Sequence, residues 1–449
     1  MSNTWSRHRR GMPIALAVTL VGGVVVLLPT AAVATGNGGG NGGGGGHGGG
    51  HGREARNVIF VTGDGMGAAH REAARLDQAG FDGALAMDSL PIAGLQTTDA
   101  RDPEDTITDS AASASAWATG VKTFNGAISV DVDGNPLPTL GAEAREAGLA
   151  TGLVTTAQVT DASPAAFFSN TPDRGLQDDI ARQYLEDSKP QVILGGGEDW
   201  WLPAGDEGAF APREGDVEDP EVSRSTQGDL IARAQELGYT YVDDAEGLAD
   251  AEGDRLLGLF ANEEMFQQRP EGQGDEFDPL VPLADMTAAA LDVLEEDHDG
   301  FFLLVEEEAV DEMSHNNNGT RMLESMRSLD AAVQVARDYV AEHPDTLLIV
   351  TGDHECGGLT IEDVDAEDES GPGGTLPQEV VVEGETESGE DGPFLVEGSE
   401  EYDFALDWTT TGHTGVPTVV TAEGPGSERL TGIYPNTRLH EVMRDALVG

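Results

Sequence analysis

Short apolar runs that end in charged residues set the pattern of this chain. The run Phe301–Val305 contains five apolar residues and is preceded by Gly300. It is too short for a globular helix, so it predicts a strand buried on both faces, as in a sheet covered by helices. The segments Val58–Asp64 and Leu347–His354 have the same form, and we interpret them as two more buried strands.

Polar side chains follow each of these three strands. In open α/β sheets, ligands bind at the carboxyl ends of the strands. Buried strands that each place carboxylates or imidazoles at one such edge predict a site for several metal ions. The side chains concerned are Asp64, Glu306, Asp311, His315, Asp353 and His354.

Strands and helices alternate along the chain from residue 53 onward. This alternation predicts an α/β fold with a large, mostly parallel central sheet and helices on both faces. Helices are predicted at Ala68–Gln78, Leu140–Ala147, Ser225–Leu237, Pro282–Leu294, Thr320–Glu342 and Asn436–Leu447, and further strands at Gly152–Thr155, Gln191–Leu194, Leu256–Phe260 and Pro417–Thr421. Residues 362–403 form an acidic, glycine-rich insertion, which predicts a lobe or flap with a strand at Val380–Val382.

Two segments near the start of the folded part carry candidate functional residues, and each has a structural alternative. Glycines surround Asp64 in the sequence GDGMG, which is either a tight turn or a weak likeness of a dinucleotide loop, although the G-x-G-x-x-G spacing is absent. Ser110 begins a helix of small residues. Either Asp109 or Ser110 caps this helix; alternatively, the Ser110 hydroxyl lies where backbone N–H groups and the helix dipole favour a phosphate.

Asp161, Ser163 and Arg174 lie around a third candidate segment. Pro164 restricts the backbone before it to extended forms, so we predict a loop at Asp161 and Ser163. Arg174 stands in an acidic neighbourhood, where a surface salt bridge is its default role.

Residues 1–34 have the parts of a secretory signal peptide. Arg7, Arg9 and Arg10 precede an apolar run, Ile14–Leu28, and small residues near position 34 form a cleavage site. We therefore predict an extracellular or periplasmic protein, exported by the Sec or the twin-arginine route. The alternative is an uncleaved membrane anchor; without it, no stable membrane partner is expected. Residues 35–52 are a glycine-rich linker, and residues 53–449 form the folded domain.

The charge of the chain excludes one class of partner. There are 83 Asp and Glu against 24 Lys and Arg, a formal net charge of −59. A nucleic-acid partner is not expected, because its phosphates would be repelled. The apolar runs nevertheless predict a folded core rather than disorder. We interpret the chain as a halophilic protein, since about 1 M salt shortens the screening length to about 3 Å and removes most self-repulsion.

Five motifs occur in order: GDGMG, DSAAS at Ser110, VE…D…SH ending at His315, TGDH ending at His354, and GHTG around His413. Together they resemble the alkaline phosphatase family over Asn57–His413, and more weakly to the C-terminus. The resemblance implies a phosphomonoesterase that forms a phosphoserine, acts on small phosphate monoesters and uses two Zn²⁺ and one Mg²⁺. It also implies the family's fold, and dimers are common in that family.

The resemblance assigns a role to each matching residue. It implies that Ser110 is phosphorylated and that Arg174 binds the phosphate. It implies one zinc site of Asp311, His315 and His413, a second of Asp64, Asp353 and His354, and a magnesium site of Asp64, Ser163 and Glu306, with Asp161 holding a magnesium-bound water.

The donor types fit these roles independently of the family. Mixed nitrogen and oxygen donors suit a catalytic zinc, an all-oxygen set suits Mg²⁺, and the guanidinium of Arg174 can bind two phosphate oxygens. Manganese or cobalt in place of zinc stays open. One departure from the family is Glu312, where many relatives have Lys or His; a carboxylate there should repel the product. The other is Ser163, often Thr in the family, which keeps the hydroxyl.

Three other functions and the role of Cys356 have to be weighed. A sulfatase would need a C/S-x-P-x-R signature, which is absent around Ser110. A phosphodiesterase is the second alternative, but phosphodiesterase relatives usually have Thr as nucleophile and lack an arginine that matches Arg174. A surface protein that binds cations without catalysis would need the complete ligand set to be vestigial. Cys356 is the only cysteine, so it forms no intramolecular disulfide; we interpret it as a small packing residue near the metals, with a soft metal ligand as the alternative.

Overall fold

The computed structural model describes residues 55–210, 222–364 and 389–449. The strands in these ranges are β1 Asn57–Gly63, β2 Ile92–Thr97, β3 Ala150–Gln158, β4 Val192–Gly196, β5 Thr240–Val242, β6 Leu256–Leu259, β7 Phe301–Glu307, β8 Thr346–Thr351, β9 Glu355–Cys356, β10 Leu359–Glu362, β11 Gly389–Leu395, β12 Asp403–Trp408, β13 His413–Thr414, β14 Thr418–Glu423 and β15 Gly432–Pro435.

Helices connect most of these strands. They are α1 Ala68–Ala79, α2 Ser110–Thr119, α3 Leu140–Glu146, α4 Ala162–Phe168, α5 Gln177–Gln183, α6 Leu230–Glu236, α7 Ala245–Ala249, α8 Leu283–Leu294, α9 Ala309–His315, α10 Gly319–Glu342 and α11 Thr437–Leu447. Among the described residues, no helix has the length and apolar character needed to cross a membrane.

A ten-stranded sheet forms the centre of the fold, in the order β15-β2-β14-β8-β1-β7-β3-β4-β6-β5. β14 pairs antiparallel with both of its neighbours, and the other pairings in this sheet are parallel. The predicted large, mostly parallel sheet is therefore confirmed.

Side chains of β7 pack alternately into two cores. Phe301, Leu303 and Val305 belong to the core that includes α8 and α10, whereas Phe302 and Leu304 belong to the core that includes α2, α4 and α11. All five are fully buried. Burying an apolar side chain of this size contributes about 1.5–3 kcal/mol before entropic costs. The prediction of helices on both faces is thus confirmed, and both cores fix the position of β7.

The three strands predicted from their apolar runs lie side by side, with β1 between β7 and β8. Thr62 of β1 is in register with Glu306 on one side and Thr351 on the other. β3 continues the series, because Thr155 is also in register with Glu306. The carboxyl ends of these four parallel strands consequently meet at one edge of the sheet.

Two local predictions were wrong. Ser163 and Pro164 do not lie in a loop but in the first turn of α4. Proline is tolerated there, because the backbone N–H groups of the first turn have no partner within the helix. The helix predicted from Ser225 begins only at Leu230, because the side chain of Asp229 caps it by accepting a hydrogen bond from the N–H of Ala232.

The described parts of the insertion at 362–403 contribute to a small antiparallel sheet with the order β10-β12-β11. Residues 365–388, with the strand predicted at Val380–Val382, lie outside the described residues. The signal peptide at 1–34 and the linker at 35–52 also lie outside them and stay predictions.

Candidate active site

The first cluster of donors comes from α9 and β13. Asp311 and His315 are four residues apart on α9, so both lie on one helix face. His315 Nε2 is 2.9 Å and His413 Nε2 is 3.6 Å from Asp311 Oδ2. The Nδ1 atoms of the two histidines face the carbonyl oxygens of Thr411 and Thr108. Each ring can donate through Nδ1, which leaves its Nε2 free to bind a metal.

The second cluster consists of Asp64 after β1, and Asp353 and His354 after β8. His354 Nε2 lies 3.1 Å from Asp353 Oδ2 and 3.5 Å from Asp64 Oδ1. Backbone N–H groups of Gly65 and His354 bind Asp353 Oδ1 and leave Oδ2 directed into the cluster. Burial, and then the charge of Asp311, raises the pKa of Asp353 to about 6.

Gly65 allows the two clusters to approach each other. Its φ is +67°, a conformation that side chains disfavour, and a Cβ there would lie 2.5 Å from Asp311 Oδ1. The clusters are adjacent: His354 Nδ1 is 3.8 Å from Asp311 Oδ1, and the rings of His354 and His413 stack with their centres 3.5 Å apart. The glycine turn in GDGMG is therefore a packing requirement of the site.

Ser110 is the first residue of α2 and borders the second cluster. Its Oγ lies 3.3 Å from His354 Nε2 and 3.5 Å from Asp64 Oδ1. The side chain of Asp109, not that of Ser110, caps the helix by accepting from the N–H of Ala112 at 2.8 Å. The hydroxyl of Ser110 is thus available for chemistry at the helix N-terminus.

Glu306 lies at the end of β7 and faces a set of oxygen donors. The hydroxyl of Thr155 donates to Glu306 Oε2 at 2.7 Å. Burial raises the pKa of Glu306 to about 8, although the hydroxyls of Thr155 and Ser163 oppose that rise. The buried Ser163 hydroxyl lies beside Glu306 without meeting full hydrogen-bond geometry. Sequence reasoning missed Thr155, whose only signal was its position in a buried strand.

Arg174 is held in place by two carboxylates. Its Nη2 lies 2.9 Å from both oxygens of Asp161, and its Nη1 lies 3.5 Å from Asp109 Oδ2. Burial alone would raise the pKa of Asp161, but the Arg174 charge brings it below its ordinary value. Arg174 thus forms the salt bridge that is the default for an arginine taken alone; its predicted role in binding phosphate stays a prediction.

Several glutamates interact electrostatically with Asp161, and Glu312 is one of them. Burial, followed by the charge of Asp311, raises the pKa of Glu312 to about 7. Glu308 and Glu264 interact electrostatically with Asp161 as well, and burial raises the pKa of both. Only Glu312 was singled out from the sequence, because Glu308 and Glu264 belong to none of the motifs.

The structure thus brings together the predicted side chains from distant segments. Two groups have donor atoms within 4.8 Å of one another: Asp64, Asp353 and His354, and Asp311, His315, His413 and Cys356. Cys356 is fully buried, as expected for a packing residue, yet its sulfur belongs to the first cluster. Both groups can hold a metal ion.

Comparisons with known proteins agree with this geometry. A family model described as alkaline phosphatase matches residues 55–448. A streptomycin-6-phosphate phosphatase of Streptomyces griseus is 35% identical, with 98% of this chain and 97% of that protein covered. Alkaline phosphatase 3 of Bacillus subtilis is 31% identical, with 88% and 89% covered.

A solved structure has the same fold. It is a mutant of the alkaline phosphatase of the Antarctic bacterium TAB5 with Mg bound in its M3 site. It is 25% identical with a TM-score of 0.68, and the match covers 88% of this chain and 98% of that one. Since the family model spans residues 55–448 and both relatives are at least 30% identical over most of their length, this chain belongs to the alkaline phosphatase family and is a phosphomonoesterase.

Proposed function

We propose that this phosphomonoesterase transfers the phosphoryl group of small phosphate monoesters to Ser110 and then to water, with two Zn²⁺ and one Mg²⁺ as cofactors. The observation that carries the proposal is the position of Ser110. Its Oγ lies at a helix N-terminus, within 3.5 Å of donor atoms of the second cluster. A hydroxyl in this place can act as a nucleophile, because a metal ion bound at the second cluster would activate it.

The donor atoms fit metal ions. Asp311 Oδ1, Asp353 Oδ2 and His354 Nδ1 are buried without a hydrogen-bond partner. Buried polar groups are rarely left unpaired, so one cation at each cluster would account for the unpaired oxygens of Asp311 and Asp353. Asp311, His315 and His413 would hold one Zn²⁺, and Asp64, Asp353 and His354 the other. When bound, these ions lower the pKa of the serine hydroxyl and neutralise charge on the phosphoryl oxygens.

Magnesium fits the third set of donors. Asp64, Ser163 and Glu306 offer only oxygen atoms, which Mg²⁺ prefers. Asp161, which contacts Arg174, would position a water of that ion. The TAB5 mutant with Mg in its M3 site is a precedent in a related fold. Manganese or cobalt could replace zinc, because donor type alone does not select among these metals.

The chain's own residues bind and orient the substrate. Asp161 holds Arg174 through Nη2, and Asp109 contacts Nη1 only at 3.5 Å, so the remaining N–H hydrogens of the guanidinium would bind two phosphoryl oxygens. Ser110 Oγ forms the new bond to phosphorus while the alcohol oxygen leaves on the opposite side. Water then releases phosphate from Ser110. A monoester suits this arrangement, since it has three unesterified oxygens, two for the fork of Arg174 and one more for the metal ions, whereas a diester has only two.

We also propose the setting in which the enzyme works. Residues 1–34 would direct export by the Sec or twin-arginine route, residues 35–52 would act as a linker, and residues 53–449 would form the catalytic domain with an insertion at 362–403. The enzyme would be extracellular or periplasmic, adapted to high salt, and a homodimer as is common in the family. Mass spectrometry of the mature N-terminus and light scattering in brine test these points.

Ser110→Ala tests the nucleophile. Turnover of p-nitrophenyl phosphate should fall at least about 10³-fold, while the metal content measured by mass spectrometry is retained. Acid quenching of the wild-type enzyme with substrate should trap phosphate on Ser110. Ser115→Ala is the matched control, because Ser115 lies on the same helix but donates to the carbonyl of Ala127. A fully active Ser110→Ala enzyme would overturn the proposal.

A further inference from the structure

Cys356 lies directly opposite His413. The two residues are partners in the antiparallel pairing of β9 with β13. Directly opposed residues of two strands place their side chains on the same face. The thiol is therefore directed to the same side as the His413 imidazole, and its sulfur lies within 4.8 Å of the donor atoms of Asp311, His315 and His413.

Asp311 is an independent sign that this cluster binds a ligand. Its side chain is 6% exposed, and its Oδ1 accepts no hydrogen bond. Cys356 itself is completely buried, and the N–H of Cys356 donates to the carbonyl of Gly65 at 3.1 Å. This hydrogen bond holds the backbone of Cys356 against the turn at Gly65, which lies beside Asp311.

We propose that the Cys356 thiolate is a fourth protein donor of the first cluster, which makes this centre a mixed nitrogen, oxygen and sulfur site that favours soft divalent cations. The inference rests on the proposed function, because it assumes that the first cluster holds a metal. As the sulfur–metal bond forms, the thiol proton is released to solvent, and no electron transfer is involved. Thiolate ligands favour soft metals, so the site should prefer Cd²⁺ over Zn²⁺ more strongly than three nitrogen and oxygen donors would.

Cobalt spectroscopy of the metal-depleted full chain tests the proposal. With Co²⁺ as the probe, the wild-type protein should develop a near-ultraviolet thiolate-to-cobalt charge-transfer band whose final intensity corresponds to one thiolate-bound Co²⁺ per chain. Cys356→Ser should lack the band and lose at least about tenfold in Co²⁺ affinity. Its visible cobalt absorption and its circular dichroism report that the variant is folded and loaded.

Variants of the two clusters localise the sulfur. Asp311→Asn should remove or shift the band, whereas Asp353→Asn, in the second cluster, should leave it unchanged. A wild-type protein loaded with Co²⁺ that has no band would overturn the proposal. So would a band that survives Asp311→Asn unaltered and disappears in Asp353→Asn. Cadmium NMR of the wild-type protein provides a second readout that needs no variant, since a thiolate ligand moves the cadmium resonance strongly.

These measurements require no turnover, so they separate this inference from the proposed function. A protein that has the band but hydrolyses no phosphate monoester would retain the sulfur donor and contradict the proposed reaction. A protein that hydrolyses monoesters without the band would do the reverse. Competition between Cd²⁺ and Zn²⁺ should favour Cd²⁺ at least about tenfold more in the wild type than in Cys356→Ser.

Discussion

Three donors in the candidate site, His315, His413 and Asp353, are oriented by contacts with the backbone. The backbone carbonyls of Thr411 and Thr108 orient His315 and His413, and two backbone N–H groups hold one oxygen of Asp353. Such contacts set the tautomer and direction of a ligand before the metal arrives. At the scale of single residues, the site is therefore pre-organised by the backbone.

Glu312 is the residue at which we expect this enzyme to differ from relatives with a cation there. Burial and the charge of Asp311 raise the pKa of Glu312 to about 7, so the carboxylate is ionised at alkaline pH and should repel phosphate. Glu312→Gln should strengthen inhibition by phosphate about tenfold at pH 9, equivalent to about 1.4 kcal/mol. The inhibition constant for phosphate measures the change.

The matched control for this substitution is Glu146→Gln. It removes the same charge from an exposed position at the end of α3, which precedes β3 and so lies at the opposite edge of the sheet. That variant should leave phosphate inhibition unchanged. If both variants have the wild-type inhibition constant, Glu312 does not act on the bound phosphate.

At the scale of elements, the start of α2 is the critical helix end. Asp109 accepts hydrogen bonds from the N–H groups of Ala112 and Gly126, both at 2.8 Å, and also contacts Arg174. Asp109→Ala should cost about 1–2 kcal/mol of stability, because the cap is lost. It should also lower kcat/KM, because it loosens both Ser110 and Arg174.

Two variants separate the capping effect from the catalytic effect. Asp109→Asn keeps one acceptor and should have an intermediate melting temperature. Asp229→Ala removes an equivalent cap from α6, far from the site in sequence, and should lower the melting temperature with kcat/KM unchanged. Equal kcat/KM in Asp109→Ala and the wild type would contradict the role of this cap in positioning Ser110.

The contact between the small sheet and α10 should depend on pH. Asp391 Oδ2 accepts from the N–H of Gly319 at the start of α10. Burial, and then the charge of Glu271, raises the pKa of Asp391 from 3.8 to about 6. A carboxyl group with a raised folded-state pKa stabilises the fold fully below its unfolded pKa, and this contribution is lost as the pH rises through about 6.

Asp391→Asn should therefore gain stability relative to the wild type between about pH 4 and pH 6 and keep that gain at higher pH. Thermal melts at pH 4 and pH 8 give the comparison. Asp403→Asn, an exposed position of β12 in the same sheet, is the control. A melting-temperature difference between Asp391→Asn and the wild type that is equal at both pH values would contradict the assignment.

At the scale of the whole molecule, we expect net charge to govern stability. The formal charge of −59 must be accommodated on a compact fold, and the screening length falls from about 10 Å at 0.1 M salt to about 3 Å at 1 M. Dialysis from brine into low salt should therefore reduce the far-ultraviolet circular dichroism and lower the melting temperature. Sucrose at matched osmolality should restore less structure than salt, because it does not screen charge. Unchanged circular dichroism at low salt would contradict salt adaptation.

The sequence predicted the elements that have a strong local signal. Five successive apolar residues identified β7, and the same pattern identified β1 and β8, because a strand buried on both faces needs apolar residues at every position. The start of α4 was missed. The restriction of the backbone before Pro164 was interpreted as a loop, but proline is equally compatible with the first turn of a helix. Strand β2 was missed as well, because its sequence IAGLQT has a glycine and half-buried positions in place of an apolar run.

The sequence by itself determined which side chains could carry the chemistry, since their types, order and motifs are properties of the chain. Only the tertiary structure decided which of them meet. β1 lies between β7 and β8, and both of these strands are distant from β1 in sequence. This strand order brings Asp64 beside His354 and Asp311. The same packing placed Cys356 among the donors of the first cluster and Glu308 beside Asp161. Such proximities depend on strand order and on burial between two cores, which local sequence patterns do not specify.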